Sequence, residues 1–245
     1  MKKNCFCDAH IHLSHCSLPV NLTDYEYMCC SSCFTREEFI TLENRPSGIF
    51  LSYGIHPQNP DMKEAEYLET LAREKKIHAV GECGYDLFTQ DFRSKLDEQE
   101  KAFDFQLECA HTHSLPLVIH SRKAADLLFT KIRELKKIKA VVFHSYGGTM
   151  TEALSFLKKG VNAYFSFGKP LLNGKKSALE CASKIDITRL LLETDAPYQT
   201  LKDETQTYPE QIIDVYKKAR ELRGVPEEDF MNQIRDNFTR AFLSQ

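Results

Sequence analysis

Residues 4–12 read NCFCDAHIH, a short apolar run that ends in two histidines separated by one residue. Short apolar runs of this kind are typical of strands that are buried on both faces in a parallel sheet. Alternate residues of a strand point to the same side, so His10 and His12 are expected to project together. The stretch therefore predicts a buried strand that carries polar ligands at its carboxyl end.

Similar apolar runs recur along the chain and alternate with amphipathic, helix-like stretches. The runs are Asn4–Ala9, Tyr27–Ser32, Gly48–Tyr53, Ile77–Gly81, Leu115–Ile119, Ala140–Phe143, Asn162–Phe167 and Arg189–Leu192. The helical stretches are Lys63–Lys75, Asp91–Ser114, Lys123–Lys136, Thr149–Lys159, Lys175–Ser183, Tyr208–Arg223 and Glu227–Phe242. This alternation predicts an α/β fold, a TIM (βα)8 barrel, with other α/β sheets as the alternative. The segment His15–Glu26 contains Pro19 and has weak periodicity, which predicts a shortened first crossover.

Composition excludes several classes of protein. The chain has 245 residues, of which 42% are hydrophobic and 27% are charged, so it is neither disordered nor fibrous. Its net charge of −3 excludes a globally basic nucleic-acid-binding coat but leaves room for local basic pockets. We expect one domain over residues 1–245. There is no apolar run of membrane-spanning length and no signal-peptide pattern at the amino end, so we expect a cytoplasmic protein without membrane partners.

Nine cysteines are present, six of them within the first 33 residues. Cys29, Cys30 and Cys33 form a spacing that can indicate a metal or redox site, but a second pair at zinc-ribbon spacing is missing. Reduced cysteines that serve as small buried hydrophobic residues are the favoured interpretation.

Ligand-type side chains follow several of the predicted strands at the point where each strand ends. They are His10, His12, His56, Glu82, His120, His144 and Asp195. The carboxyl ends of the strands of a (βα)8 barrel converge on one face, where active sites lie. A single histidine at a strand end is usually a hydrogen-bonded core residue, but several in register favour a metal site. His15, His78, His111 and His113 fall outside this register and are expected to be surface or packing residues.

These residues lie in motifs that resemble the TatD family of metal-dependent hydrolases, within the amidohydrolase superfamily. The motifs are Asp8-x-His10-x-His12, Gly54-Ile55-His56-Pro57, Gly81-Glu82-Cys83-Gly84-Tyr85-Asp86, Ile119-His120-Ser121-Arg122, His144-Ser145-Tyr146-Gly147-Gly148, Glu193-Thr194-Asp195-Ala196-Pro197 and Asn237-x-x-Arg240-x-Phe242. The resemblance runs from Asp8 to Phe242, with the motifs in the family's order. It departs from the usual pattern at Tyr85 and Tyr146, in the short first crossover and in Lys202–Tyr208, and Thr207-Tyr208-Pro209-Glu210 replaces the family's Asn-Glu-Pro. None of these departures removes a ligand.

The resemblance implies a centre of one to three divalent ions, with Zn²⁺, Mg²⁺ and Mn²⁺ all open. His10 and His12 with Asp195 would hold one ion, His120 and His144 a second, and Glu82 would bridge. The implied activity is phosphodiester hydrolysis, as a deoxyribonuclease with 3′ exonuclease character.

Roles for individual residues follow from chemistry at such a centre. Asp195 is the candidate base, with a role as ligand only as the alternative. Glu82 and His56 complete the predicted catalytic set; His56 would contact phosphate or protonate the leaving group, or be merely structural. Asp8 is expected to orient a ligand histidine. Cationic candidates for phosphate contact are Arg122, Lys123, Lys169, Lys175 and Lys176, with solvated surface charge as the alternative for the lysines.

Few cationic candidates on an acidic chain indicate weak, salt-sensitive binding, which suits single-stranded ends of DNA or small phosphodiesters better than long duplexes. No obligate protein partner is implied. Two competing functions stay open at this point. One is hydrolysis of amides, esters or lactones, including release of aminoacyl groups from tRNA. The other is a non-catalytic barrel that binds metal for stability or as a scaffold.

Overall fold

Eight parallel strands form one sheet in the computed structural model, which describes residues 5–16 and 25–243. Each strand pairs with the next along the chain. Their bounds are Cys5–Ile11 (β1), Glu26–Cys33 (β2), Ile49–Tyr53 (β3), Ala79–Asp86 (β4), Leu117–Arg122 (β5), Val141–Phe143 (β6), Ala163–Phe167 (β7) and Leu190–Leu192 (β8). All eight predicted runs are therefore strands, with bounds that differ by a few residues.

The two edges of this sheet meet just beyond β8. The backbone N–H of Asp195 donates to the carbonyl of His10 at 3.0 Å, and the N–H of His12 donates to the carbonyl of Ala196 at 2.8 Å. These bonds bring the end of β8 against the end of β1 and nearly close the barrel. The predicted (βα)8 architecture is confirmed.

Helices surround the sheet. They span Arg36–Thr41 (α1), Ala65–Arg73 (α2), Gln90–Ser94 (α3), Leu96–Thr112 (α4), Ala125–Thr130 (α5), Ile132–Leu135 (α6), Met150–Lys158 (α7), Lys176–Lys184 (α8), Ile212–Arg223 (α9) and Glu227–Phe238 (α10). Each predicted helical stretch overlaps at least one of them, and α8 extends one residue beyond its predicted stretch, Lys175–Ser183. Two stretches are divided, at Lys95 and at Lys131, and the last ends in a π-helical turn at Thr239–Leu243.

Helix α1 was not predicted, because six residues are too few to show a clear periodicity. Its signal is a capping box: the Thr35 hydroxyl accepts the backbone N–H of Glu38, and the Glu38 carboxylate accepts that of Thr35, both at 3.2 Å. The predicted short crossover lies largely outside the described residues, which omit 17–24. After β1 the described residues form a 3-10 turn at Leu13–His15.

The core is made by the strands and by the inner faces of the helices. Phe143 of β6 is buried and its ring stacks on that of Phe165 of β7, with centroids 5.3 Å apart. Cys29, Cys30 and Cys33 are free, buried side chains of β2, as the interpretation of buried thiols expected. Among the described residues, no helix is long and apolar enough to span a membrane.

Candidate metal centre

The predicted ligand side chains meet at the mouth of the barrel, at the carboxyl ends of the strands. Their nitrogen and oxygen atoms form overlapping groups whose atoms lie within 4.8 Å of one another. The groups are His10, His12 and Asp195; His10, Glu82 and His144; and His56, Glu82 and His120. We call the seven residues of these groups the mouth cluster.

Glu82 lies at the centre of the mouth cluster, and its two carboxylate oxygens face different histidines. Oε2 is 3.2 Å from Nε2 of His10 and 3.6 Å from Nε2 of His12. Oε1 is 2.8 Å from both Nδ1 of His120 and Nε2 of His144. The carboxylate thus divides the cluster into two sets of donors, one on each oxygen.

Asp195 completes the set around His10 and His12. Its Oδ1 is 3.5 Å from Nε2 of each of these histidines. His56 joins the other set, with Nε2 3.2 Å from Oε1 of Glu82. The side chain of His56 is 17% exposed, more than that of any other member, so it lies on the solvent side of the cluster.

The donor atoms of the mouth cluster suit divalent cations. Nε2 of His10 is 3.2 Å from Nε2 of His12, and Nδ1 of His120 is 3.2 Å from Nε2 of His144. Two neutral imidazoles at this distance share one proton at most, while both also face a carboxylate oxygen. Cations between nitrogen and oxygen donors satisfy all these lone pairs at once. Mixed imidazole and carboxylate donors fit Zn²⁺ or Mn²⁺ well and Mg²⁺ less well.

The carboxylates of the cluster are held in their charged form. Burial raises the pKa of Glu82, but the neighbouring His144, His56 and His10 outweigh it and hold that pKa well below its usual range. Burial likewise raises the pKa of Asp195, and the hydrogen bond from His12 with the other imidazoles brings it below its usual value. Both groups are therefore anionic at neutral pH and ready to bind cations.

Two carboxylates that sequence reasoning missed lie beside histidines of the mouth cluster. Oδ2 of Asp86 is 3.1 Å from Nε2 of His120 and also accepts the side-chain N–H of Gln58 at 2.8 Å. Glu193 lies 3.6 Å from Nδ1 of His144. Asp86 fixes the ring of His120 so that Nδ1 faces the cluster. The sequence offers a signal for Asp86: it lies four residues after Glu82 on one strand, so the two side chains share a face.

Asp8 acts on the main chain rather than on an imidazole. Its Oδ1 accepts the backbone N–H of His10 at 3.3 Å and that of Thr194 at 3.0 Å, and its Oδ2 accepts the Thr194 hydroxyl at 2.6 Å. Burial raises the pKa of Asp8 to about 7. It joins β1 to the segment after β8 and so positions the backbone of both ligand-bearing stretches. The expected hydrogen bond to a ligand ring is not what its contacts show.

His15 lies at the rim of the cluster, closer than expected. Its Nε2 is 2.8 Å from Oε1 of Glu38, and its Nδ1 is 2.8 Å from the hydroxyl of Tyr198. Its ring is parallel to that of His12, with centroids 6.0 Å apart. It is a packing residue, as predicted, but one that packs against a member of the mouth cluster. His78 and His113 lie among helices and strands away from the mouth, where they contact Leu51 and Glu69.

A cleft of about 1360 Å³ opens over the mouth cluster. Aromatic side chains line it: Phe34, Phe88, Phe92, Phe143, Tyr146, Phe156 and Tyr198. Arg122, Lys123 and Lys175 also line it. The guanidinium of Arg122 lies 3.5 Å from the centre of the Phe88 ring, and that ring is flanked by Lys123 at 4.9 Å. The cleft thus combines flat apolar faces with positive charges.

Two other predicted cationic residues differ from this group. Lys169 also lines the cleft, but it is buried, and its ammonium lies 2.6 Å from a carboxylate oxygen of Glu204. Its charge is therefore already compensated within the protein. Lys176 begins α8 and is not among the residues that line the cleft. Arg122, Lys123 and Lys175 are left as the cations best placed to meet an anionic ligand.

Comparison with known proteins agrees with these observations. Residues 7–243 match the family described as TatD related DNase. A protein of Klebsiella pneumoniae named 3′-5′ ssDNA/RNA exonuclease TatD is 35% identical over 165 residues, which is 64% of this chain and 60% of that protein. The uncharacterized metal-dependent hydrolase YjjV of Escherichia coli is 28% identical over 197 residues, 77% of this chain and 74% of its own length.

Solved structures show the same fold. The crystal structure of the TatD homologue YjjV from Escherichia coli superimposes with a TM-score of 0.85, at 24% identity, over 98% of both chains. A TatD family hydrolase from Entamoeba histolytica gives a TM-score of 0.80 at 19% identity, over the full length of both. At these identities the likeness establishes the barrel.

Proposed function

The chain belongs to the family of TatD related DNases, and from that membership we propose that it is a metal-dependent hydrolase that cleaves phosphodiester bonds at the 3′ ends of single-stranded nucleic acid. The observation that carries the proposal is the position of Glu82, whose oxygens separate two sets of imidazoles. The names of relatives such as the exonuclease of Klebsiella pneumoniae support the choice of substrate.

The residues of the mouth cluster divide naturally between two cations. His10, His12 and Asp195 would hold one, and His120 with His144 a second, with one oxygen of Glu82 toward each. Bound divalent cations polarise phosphoryl oxygens and lower the pKa of water, which supplies a nucleophile at neutral pH.

Asp195 is the residue that we assign as the proton acceptor. It is 7% exposed, lines the cleft, and is ionised at neutral pH because of its histidine neighbours. An oxygen of its carboxylate would take the proton of the attacking water as the new bond from oxygen to phosphorus forms. The bond from phosphorus to the leaving oxygen breaks on the opposite side.

We assign His56 as the group that would give a proton to that leaving oxygen. Its Nε2 faces Oε1 of Glu82, and its ring is partly exposed to the cleft. His56 lies beside Glu82 while Asp195 lies with His10 and His12, so the donor and the acceptor of protons belong to different halves of the cluster. In-line displacement needs this separation.

The walls of the cleft favour a single strand. Exposed aromatic rings stack on unpaired bases irrespective of sequence, and a duplex offers such a face only at its end. Phe88 is 44% exposed and Tyr198 is 46% exposed. Arg122 beside Phe88 would contact a phosphate next to a stacked base. With a net charge of −3, the molecule depends on these local cations for binding.

The test is hydrolysis of labelled oligonucleotides. Single-stranded DNA and RNA, labelled at either end, are incubated with protein loaded with Mg²⁺, Mn²⁺ or Zn²⁺. We expect stepwise shortening from the 3′ end, and loss of activity in His10→Ala and Asp195→Ala. Equal residual cleavage by these variants and the parent protein, with every metal, would reject the proposal. Hydrolysis of esters, lactones or aminoacyl-tRNA in parallel assays, without shortening of oligonucleotides, would replace the phosphodiester with a carbonyl substrate.

A further inference from the structure

A second group of metal-ligand side chains lies away from the mouth, on the outer layer of helices. Its members are Glu69 of α2, Cys109 of α4 and His113, the residue that follows α4. One donor atom from each lies within 4.8 Å of the other two. Nothing in the proposed hydrolysis uses these residues. The group offers one oxygen, one sulfur and one nitrogen to a common point.

The helices hold the three side chains in place. Cys109 and His113 are four residues apart, so their side chains share one face of α4. The backbone N–H of His113 donates to the carbonyl of Cys109 at 3.0 Å, so the hydrogen-bond pattern of α4 extends to His113, its C-cap residue. Glu69 comes from α2, which is fixed to the core by its buried Leu68 and Leu71. Helix α4 and its C-cap thus position the donors of Cys109 and His113, and α2 supplies the carboxylate of Glu69.

The burial of the three groups is graded from the core to solvent. Cys109 is 2% exposed, whereas the side chains of His113 and Glu69 are 17% and 38% exposed. An ion would therefore reach the group from solvent, and water would complete its coordination on that side.

The present contact between the imidazole and the carboxylate is close to the distance that coordination requires. Nε2 of His113 is 2.6 Å from Oε1 of Glu69. Tetrahedral bonds of ~2.0–2.2 Å to nitrogen and oxygen place these donors ~3.4 Å apart. The carboxylate has to withdraw by less than ~1 Å, and its exposure leaves room for that movement.

We propose that Glu69, Cys109 and His113 form a second metal site, which binds a thiophilic divalent cation such as Zn²⁺ with three protein ligands and one water. A thiolate and a carboxylate neutralise the two charges of the ion, and the thiol proton passes to solvent on binding. Sulfur and imidazole donors select Zn²⁺ or Co²⁺ over Mg²⁺ and Ca²⁺. The ion would join α2 to α4 and so stabilise the folded state in proportion to its occupancy.

Sulfur makes this site separable from the mouth cluster by spectroscopy. Among the residues that the structure describes, the donor groups at the mouth hold imidazole and carboxylate only. The full chain, stripped with a chelator, is titrated with Co²⁺, and the near-ultraviolet charge-transfer band from thiolate to Co²⁺ is recorded. We expect this band in the parent protein and in His10→Ala, and its loss on addition of Zn²⁺.

Variants decide whether the band comes from this group. Cys109→Ser should remove it, and Glu69→Gln and His113→Gln should raise the Kd for Co²⁺ at least tenfold. Cys181→Ser, a buried cysteine of α8, is the matched control and should keep the band. A parent protein without the band, or a band that survives in Cys109→Ser, overturns the proposal and leaves an ordinary ion pair between two helices. If Cys109→Ser does not fold, an unchanged Kd in Glu69→Gln, whose side chain is partly exposed, overturns it equally.

Discussion

At the scale of single residues, the mouth cluster depends on supports that are not themselves ligands. Asp86 contacts the ring of His120 on the side away from Glu82, and Gln58 in turn contacts Asp86. The hydrogen bond to Asp86 fixes which nitrogen of His120 faces the cluster. Such partners contribute substantially to metal affinity without touching the ion.

Asp86→Asn is expected to lower metal affinity and hydrolysis ~10–100-fold, because the ring of His120 loses its anionic partner. Added metal should restore much of the rate. In Glu82→Gln the rate of hydrolysis should fall by more than ~100-fold and recover little when metal is added, because the amide lacks the negative charge that Glu82 would place between the two cations. The rate is measured against metal concentration for each variant. Identical, metal-insensitive losses in both would contradict a supporting role for Asp86.

Phe88 gives a second prediction at this scale. Phe88→Ala removes an exposed ring from the cleft and the partner of the Arg122 guanidinium. Loss of base stacking costs ~1–3 kcal/mol, so KM for single-stranded oligonucleotides should rise roughly 5- to 150-fold with a smaller change in kcat. Leu154→Ala, which removes an exposed apolar side chain of α7 outside the cleft, is the control. Similar KM values for both variants would exclude Phe88 from substrate binding.

At the scale of elements, close approach between strands positions the ligands. Gly84 of β4 has a positive φ of 123° and is paired with His120 of β5. A Cβ at this position would collide with the carbonyl oxygen of His120. Glycine is therefore required where the strand that carries Glu82 lies against the strand that carries His120.

Gly84→Ala is expected to lower the free energy of unfolding by at least ~3 kcal/mol, from backbone strain and overpacking together. Gly174→Ala is the matched control: φ is also positive, at 77°, but no atom of the described residues, apart from its two chain neighbours, lies within 4 Å of the added Cβ. Strain alone should cost the control ~1–2 kcal/mol. Urea denaturation measures both, and equal losses would show that the contact with His120 is unimportant.

The elements also show how far sequence reasoning reaches. Alternation of apolar runs and helical stretches was enough for all eight strands and for the face on which His10, Glu82 and Asp195 meet. The sequence does not predict helix α1, because its six residues show little periodicity. The sequence also does not predict the ion pair of Lys169 with Glu204, because the residues are 35 positions apart and their contact depends on loop conformation. Sequence patterns predict the direction of a side chain in a strand, whereas partners across loops follow from three-dimensional packing.

At the scale of the whole molecule, an acidic protein that binds a polyanion must rely on a few cations. Arg122, Lys123 and Lys175 line the cleft, while the chain as a whole has a net charge of −3. Three phosphate contacts on a single strand predict a slope of log K against log salt of about −2. Long-range attraction contributes little to such binding.

The salt dependence of oligonucleotide binding therefore tests the assignment of the cations. Arg122→Gln should reduce the magnitude of the slope by ~0.7, the contribution of one phosphate contact. Lys184→Gln, which removes an exposed charge on α8 outside the cleft, should leave the slope unchanged. Fluorescence anisotropy over a range of NaCl concentrations supplies the data. The same slope for Arg122→Gln and the parent protein would show that Arg122 does not contact a phosphate.

The hydrogen bonds that join β1 to the segment after β8 have a consequence for closure of the barrel. Asp195 donates its amide to the carbonyl of His10, and both side chains belong to one cation-binding set. The first strand and the segment after the last strand are therefore joined by hydrogen bonds of the same residues that would bind the ion. Metal binding would therefore stabilise closure of the barrel, and we expect removal of metal to weaken first the contact between β1 and the segment after β8.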